Sequence, residues 1–422
     1  MNAPLIPGDA ALARRLQREV DGEVLFDPAS RGRYSTDASI YQIEPIGVVV
    51  PRSEEAARAA IAIAAQEGVP VLPRGAGSSQ CGQTVGAALV LDTSKHLNRV
   101  LELDPGARRA VVQPGLVLDQ LNAQLRSHGL WFPVDVSTGA QATLGGMTGN
   151  NSCGSRSIAY GNMVHNVLAI DAFGSDGVAR RFGPMTDDSE LTRKLRALYA
   201  REKDEIAARF PKVLRRVAGY NLDHLGPPHE NSAHLLVGSE GTLAWFERIH
   251  LRLSPVPAHR VLGVCDFPGF HTAMDLTQHI VKLAPSAVEL VDRTMIGLAR
   301  EIPAFRATVE HVIHGKPDAI LLVEFAGEER AAQLDKLRQL VQLMGDLGMP
   351  GSVAEVTDAA LQKDIWEVRK AGLNIMMSMK GDGKPVSFIE DCAVPLEDLA
   401  EYTDRLTRIF RKHGTDGTWY AH

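Results

Sequence analysis

The chain has 422 residues and a formal net charge of −6. That length exceeds one ordinary core, and the charge leaves no basic footprint for nucleic acid. Cys81, Cys153, Cys265 and Cys392 stand far apart with no C-x-x-C pair, so neither a zinc knuckle nor an iron–sulfur motif is readable and a reducing compartment fits. No run of 18 apolar residues occurs, and the N-terminus has no basic segment followed by an apolar core. A spanning helix and a signal peptide are therefore not expected, which leaves a cytoplasmic protein or one attached at the inner-membrane surface.

Residues 8–20 have the periodicity of a short amphipathic helix, and Ile46 to Pro51 reads as a strand. Ser53 is placed to cap a helix, with Glu54 and Glu55 in its first turn and Gly68 as its stop. A strand over 69–72 leads into Arg74-Gly75-Ala76-Gly77-Ser78-Ser79-Gln80-Cys81-Gly82-Gln83, a loop of small residues and backbone donors that suits a phosphate. A dinucleotide fingerprint of the G-x-G-x-x-G kind needs a helix directly after the glycines. Residues 77–87 have no apolar stripe at helical spacing, so the prediction is strand, loop, strand, with Asp92 closing the strand at 88–92. A nicotinamide-type site, a structural turn and the phosphate cradle of another fold remain open at this point. Further strands are expected at 98–103 and 109–113, then a helix at 117–127 in which Leu118, Leu121 and Leu125 share one face.

The stretch 132–161 is rich in glycine and poor in charge, so it should be ordered around something rather than act as a linker. Strands at 167–173 and 177–182 form a hairpin, and Asp187-Asp188 reads as a helix start. Residues 235–244 read as a strand with a third glycine turn, followed by a strand at 246–253. Pro255 and Pro257 mark a change of style, and a domain boundary is placed near 257. Beyond it, helices at 272–283, 328–346, 358–378 and 396–412 accompany strands at 261–266, 319–325 and 386–393. The class is α+β.

Three motifs can be combined: V-L-P-R-G-A-G-S-S-Q-C-G-Q at 71–83, A-T-L-G-G-M-T-G-N-N-S-C-G at 142–154 with Tyr160-Gly161, and V-G-S-E-G-T-L at 237–243. In this order and spacing they resemble the FAD-binding (PCMH-type) domain of the vanillyl-alcohol oxidase superfamily, and V-Q-P-G at 112–115 agrees. The resemblance implies a two-subdomain FAD-binding domain over 1–257, with its core at about 42–256, followed by an α+β cap (substrate) domain over 258–422. It implies that the flavin pyrophosphate lies on the backbone of Arg74, Gly75, Ala76, Gly77, Ser78, Ser79 and Gln80. Pro133, Asp135, Thr143, Gly145, Gly146, Asn150, Asn151, Gly154, Ser157, Glu240 and Gly241 would complete the cofactor site. Relatives with a flavin covalently linked in this loop carry a histidine there; Ser78 and Ser79 stand here, so a non-covalent FAD is implied.

Val288-Glu289-Leu290-Val291-Asp292, Leu321-Leu322-Val323-Glu324-Phe325, Trp366-Glu367-Val368-Arg369 and Asp391-Cys392-Ala393-Val394-Pro395 resemble the D-lactate and D-2-hydroxyglutarate dehydrogenase branch. Arg369, on an apolar helical face, would hold a substrate carboxylate, with an ion pair as its plain alternative. Lys384 would meet a second carboxylate; a solvated loop lysine is the plain alternative. The family's motif G-H-x-G-D-G-N-x-H is met only by its first histidine, His422, in Trp419-Tyr420-Ala421-His422. The chain is therefore expected to be the N-terminal part of a longer protein, its cap incomplete. His422 is implied to act as base, or as ligand to a divalent metal such as zinc whose remaining ligands this chain lacks. Glu390 and Asp391 are candidate oxygen ligands, His165 is expected to be a core or surface histidine, and Cys153 packs.

The resemblance implies an FAD-dependent dehydrogenase passing hydride from a D-2-hydroxy acid to flavin N5. D-2-hydroxyglutarate comes first and D-lactate next, since only Lys384 favours the dicarboxylate. Electrons would leave to a separate acceptor: an electron-transfer protein, a quinone or an iron–sulfur domain. The alternatives are a flavin-binding module without turnover and a nicotinamide-dependent dehydrogenase.

Overall fold

The computed structural model describes residues 6–381, 385–386, 389 and 392–422. Strands β1 (Gly22–Leu25), β2 (Gly47–Pro51), β3 (Val71–Arg74) and β4 (Leu89–Asp92) form a sheet in the order β1-β2-β4-β3. β4 runs parallel to both β2 and β3, and β1 pairs antiparallel with β2. The crossover from β2 to β3 is the helix Glu54–Glu67, capped as the sequence predicts: Ser53 Oγ accepts from Ala56 N at 3.1 Å, and Gly68 ends it at φ 69°. β2 and β4 are buried along their whole lengths, as expected of strands covered on both faces.

β5 (Val100–Asp104), β6 (Arg109–Val112), β7 (Leu130–Trp131), β8 (Val167–Gly174), β9 (Ala179–Phe182) and β10 (Ala244–Arg252) follow. All but β7 make an antiparallel sheet ordered β5-β6-β10-β8-β9. Its buried face carries Ile170, Ala172, Ile249 and Leu251, packed on Phe132, Leu121, Leu144 and Met163. β7 instead pairs with β11 (Ser254–Pro255).

The remaining strands, β12 (His259–Phe267), β13 (Ala287–Asp292), β14 (Ala319–Gly327), β15 (Val353–Val356) and β16 (Tyr420–Ala421), form an antiparallel sheet ordered β15-β12-β14-β13-β16. Helices Phe270–Ile280 and Arg330–Asp346 cover one face. Helices Arg293–Glu301, Pro303–Val312 and Ala359–Lys370 cover the other.

Two local expectations change. Residues 235–236 belong to a short helix, Ala233–Leu236, and not to a strand, because this segment folds back beneath β8 and leads into a tight turn. The helix expected over 358–378 is two, Ala359–Lys370 and Gly372–Met377, broken at Ala371. Gly372 comes so close to the Arg293–Glu301 helix that a Cβ there would fall 2.8 Å from Met295 Cε. The helix opened by Asp187-Asp188 is long, Glu190–Arg209, with Ser189 as its cap. The strand expected over 386–393 falls largely outside the described residues, as do Lys384, Glu390 and Asp391.

Candidate functional site: a glycine cradle facing a buried charge cluster

No helix follows Gly77; the chain runs as loop and turn from Gly75 to Ala88 before entering β4. The three glycine motifs meet there. A Cβ on Gly75 would fall 2.1 Å from Thr143 Oγ1, so the first motif lies directly on the second. Gly241, at φ 72°, rests on Pro73 of β3. Gly238 N donates to Thr148 O and Glu240 N to Gly149 O, each at 2.9 Å, so the third motif lies on the helix Leu144–Gly149. The V-Q-P-G segment supports that helix from below: Gly145 N donates to Pro114 O at 2.7 Å and Leu144 N to Leu116 O at 2.9 Å.

Arg74 turns inward. Its guanidinium donates to the carbonyls of Tyr34, Thr36 and Thr84 at 3.2, 2.8 and 3.1 Å, closing the loop against the segment after β1. Only its backbone is left for a ligand. Gly77 adopts φ 67°, while Ala76 is exposed and Ser78, Ser79 and Gln80 are half-buried. Ser79 Oγ bonds to Gln83.

Thr143 caps the helix Leu144–Gly149 by accepting from Gly146 N at 3.4 Å. Asn150 Oδ1 accepts from Ser152 Oγ. Asn151 is fully buried at φ 54°; its Oδ1 accepts from Val164 N at 3.0 Å and its Nδ2 donates to Arg216 O at 3.4 Å. Its side chain is therefore committed to holding the backbone. Pro133 is buried, and Gly154 lies so close to Asp135 that a Cβ would fall 2.4 Å from its Oδ1. Ser157 begins the short helix Ser157–Tyr160.

The cradle carries polar atoms that nothing among the described residues satisfies. Gln80 Oε1 and Ser239 Oγ are buried without a hydrogen-bond partner. Glu240 sits at the rim at φ 52°, and partial desolvation raises its carboxyl to about 7 despite a hydrogen bond with Gln83. Orphaned buried acceptors and donors beside crossing glycine turns are what a bound, polar, phosphate-bearing group would complete. The residues present fit FAD.

Across from the cradle, Arg156 ties the two halves together. Its guanidinium bonds to Asp135 Oδ2 at 2.5 Å and forks onto Glu324 of β14, Nε to Oε1 at 2.8 Å and Nη2 to Oε2 at 2.7 Å. It also lies 4.8 Å from the centre of the Trp366 ring. Burial pushes Asp135 above the usual carboxylate range against the pull of Arg156.

On β13, next to β14, Glu289 is fully buried between Arg369 and His422. Arg369 Nη2 lies 2.6 Å from its Oε2, and His422 Nδ1 contacts its Oε1. Burial alone would raise Glu289, but His422 and Arg369 hold it below the usual range. Arg369, 5% exposed, lies 5.0 Å from the Tyr420 ring centre, and its Nε has no hydrogen-bond partner among the described residues. His422 is the more open member, its side chain 24% exposed. The structure thus brings Arg369 and His422 together through Glu289, which sequence reasoning missed along with Arg156 and Glu324. The signal for Glu289 and Glu324 was a single carboxylate inside each of two apolar runs, V-E-L-V and L-V-E-F. Among the described residues His422 has one carboxylate beside it, already shared with a guanidinium, and no group of three metal-binding side chains includes it. That arrangement does not complete a metal site, and no step below runs through one.

His165 is a structural histidine: its Nδ1 accepts from Asn162 N at 3.0 Å, and burial lowers its basicity. It borders three further histidines. His224 Nδ1 meets His234 Nδ1 at 3.0 Å, and His229 stacks on His224 at 3.9 Å between ring centres. Burial holds His224 down at about 3 and His234 at about 4. Cys153 is half-buried near Arg215, with its thiol pushed up by desolvation, which suits packing.

The chain matches the FAD binding domain over residues 45–183 and the C-terminal domain of FAD linked oxidases over residues 256–422. It is 32% identical over 431 residues to the D-2-hydroxyglutarate dehydrogenase of Pantoea ananatis, covering 95% of this chain and 42% of that protein. To the D-2-hydroxyglutarate dehydrogenase of Escherichia coli it is 30% identical over 448 residues, covering 99% and 44%. The chain thus spans less than half the length of these curated relatives. A solved structure of alkyldihydroxyacetonephosphate synthase shares the fold at a TM-score of 0.66 and 17% identity, covering 89% of this chain and 66% of that one.

Proposed function

The chain belongs to the FAD-linked oxidases, and from that premise we propose that it is the flavin- and substrate-binding part of a dehydrogenase that oxidises a D-2-hydroxy acid to the 2-oxo acid. D-2-hydroxyglutarate is the first substrate of this reading. The observation that carries it is the Arg369–Glu289–His422 cluster, which sets a guanidinium and an imidazole side by side on one buried carboxylate. A 2-hydroxy acid asks for those two groups: a cation for its carboxylate and a base for its hydroxyl.

Bound FAD supplies the two-electron acceptor for the hydride leaving Cα. The backbone of Arg74 to Gln80, the helix Leu144–Gly149 and the turn at Glu240 and Gly241 would hold it, without a covalent link. The chain's own residues do the rest. Glu289 fixes His422 through Nδ1, which leaves Nε2 of the neutral ring to take the hydroxyl proton. Arg369 binds the carboxylate by sharing its guanidinium between Glu289 and the substrate, and its unpartnered Nε is the free donor. Lys384, outside the described residues, is the proposed contact for a second carboxylate. The electrons pass to a separate acceptor, an electron-transfer protein, a quinone or an iron–sulfur domain.

The test is anaerobic addition of D-2-hydroxyglutarate to the purified yellow chain, followed by its visible spectrum. Bleaching is expected, and Arg369→Ala should slow it at least a hundredfold while keeping the flavin. Bleaching by D-lactate alone would move the substrate to the monocarboxylate. No bleaching with either acid would reject the dehydrogenase reading for this chain.

A further inference from the structure

We propose that His224, His229 and His234 form a binding site for a divalent transition metal of the zinc class, on the flavin-binding half and independent of the Arg369–Glu289–His422 cluster. One ring nitrogen from each of the three lies within 4.8 Å of the others. Zinc–nitrogen bonds of about 2.0–2.1 Å place tetrahedral neighbours roughly 3.3 Å apart. The His224 Nδ1 to His234 Nδ1 separation of 3.0 Å is already near that value.

The tautomers can be derived from the partners. His234 Nε2 faces the carbonyl of Val167 at 3.2 Å, so that nitrogen carries the proton and donates. Its Nδ1 therefore has a lone pair, directed at His224. A metal-binding histidine commonly donates its far N–H to a carbonyl in this way, which fixes the ring and its basicity. Without metal, His224 must donate from Nδ1 to make the 3.0 Å contact. A metal at that position needs the proton moved to Nε2, which faces Asp223 Oδ2 at 4.0 Å. The move is a tautomer change, with the Asp223 carboxylate near enough to accept after a small shift.

His229 supplies the adjustable ligand. It is exposed and stacked nearly parallel on His224, 6° between planes, so its in-plane lone pairs do not converge on the site until the ring turns out of the stack. Exposure leaves it free to turn. His165 is not a fourth ligand: its Nδ1 is taken by Asn162 N, and a neutral ring then carries its proton on the other nitrogen. Three imidazoles and one position open to water remain.

The place of the site suggests what a metal there would do. His224 lies in the turn Leu222–Leu225 and His234 in the helix Ala233–Leu236, which runs into the glycine turn at Gly238 and Gly241. Asn221 already ties these pieces, donating to His234 O at 3.3 Å and Val237 O at 2.8 Å. A metal would staple the 222–234 excursion to the element that carries the third wall of the cradle.

Zinc itself is the probe. The FAD-loaded chain is stripped with a chelator, dialysed against micromolar zinc and analysed for bound metal, with thermal unfolding followed in parallel. One zinc per chain is expected in the wild type and in His422→Ala, with an unfolding midpoint raised by several degrees. His229→Ala, an exposed change that leaves the fold intact, should weaken zinc binding at least tenfold and abolish the thermal shift. Absence of bound zinc in the wild type, loss of zinc only in His422→Ala, or wild-type affinity in His229→Ala would each overturn the proposal.

Discussion

The two walls of the site are built from different materials. The cradle is made of backbone: glycines at crossing turns, with the surrounding side chains, Arg74 and Asn151 among them, spent on holding main chain in place. The cap wall is made of buried charge, with Glu289 and Glu324 each neutralised by a guanidinium among largely apolar strand residues. A backbone site is shape-limited, so it fails when a side chain is added. A charge site is balance-limited, so it fails when one is removed.

The largest effect should come from Arg156→Ala. It leaves Asp135 and Glu324 buried without their cation, and about 3–5 kcal/mol of stability should be lost in urea unfolding, with the two halves no longer melting together. A loss near zero would mean that the latch is not closed in solution.

Glu289→Ala should come close behind, at about 3 kcal/mol, because Arg369 loses its partner. The paired change of Glu289 and Arg369 to apolar residues of similar volume should recover most of that loss. The pH sign follows from the depressed carboxyl. Its stabilisation is present above the ordinary value of about 4.3 and disappears as pH falls through the lowered native one. Wild type should therefore lose stability on acidification more steeply than the paired variant.

The cradle should respond in the opposite sense. Gly75→Ala adds one methyl 2.1 Å from Thr143 Oγ1 and should weaken FAD binding at least tenfold. Adding Thr143→Ala should restore part of the affinity, which a flavin titration would read directly. Affinity unchanged in the single variant would place the cofactor elsewhere.

The smallest effect is at the rim. Burial raises the Glu240 carboxyl to about 7, so above that pH it places a negative charge beside the position proposed for the pyrophosphate. FAD affinity should drop about two- to fivefold between pH 6 and 8, and Glu240→Gln should flatten that profile.

Much of the backbone wall was legible in the sequence, because local chemistry decides it. Ser53 and Gly68 bracket their helix as capping rules require, and the missing helical stripe after Gly77 correctly gave a loop. The convergence of the three glycine motifs came from their resemblance to a family, since no local rule brings residue 75 against residue 143. The charge wall was less legible. Arg369 and His422 were singled out, but the carboxylate joining them sits on a strand distant in sequence, and periodicity reports burial without reporting partners. Arg156, amid small residues, gave no sign that it spans two sheets. Residues 235–236 were misread because V-L-rich turns satisfy strand preference while tertiary packing sets a helical turn.

The pairing of β7 with β11 has a mechanical consequence. Leu253 N donates to Arg108 O, Trp131 Nε1 to Pro255 O and Val256 N to Gly129 O, at 2.8, 3.1 and 2.9 Å, just before the chain enters the cap. The cap is welded at its root, with two free residues, Pro257 and Ala258, between the weld and β12. A joint of two residues is as short as hinges come, so it restricts the swing of the cap. Together with the Arg156 latch, this weld fixes the spacing between the two walls from both ends.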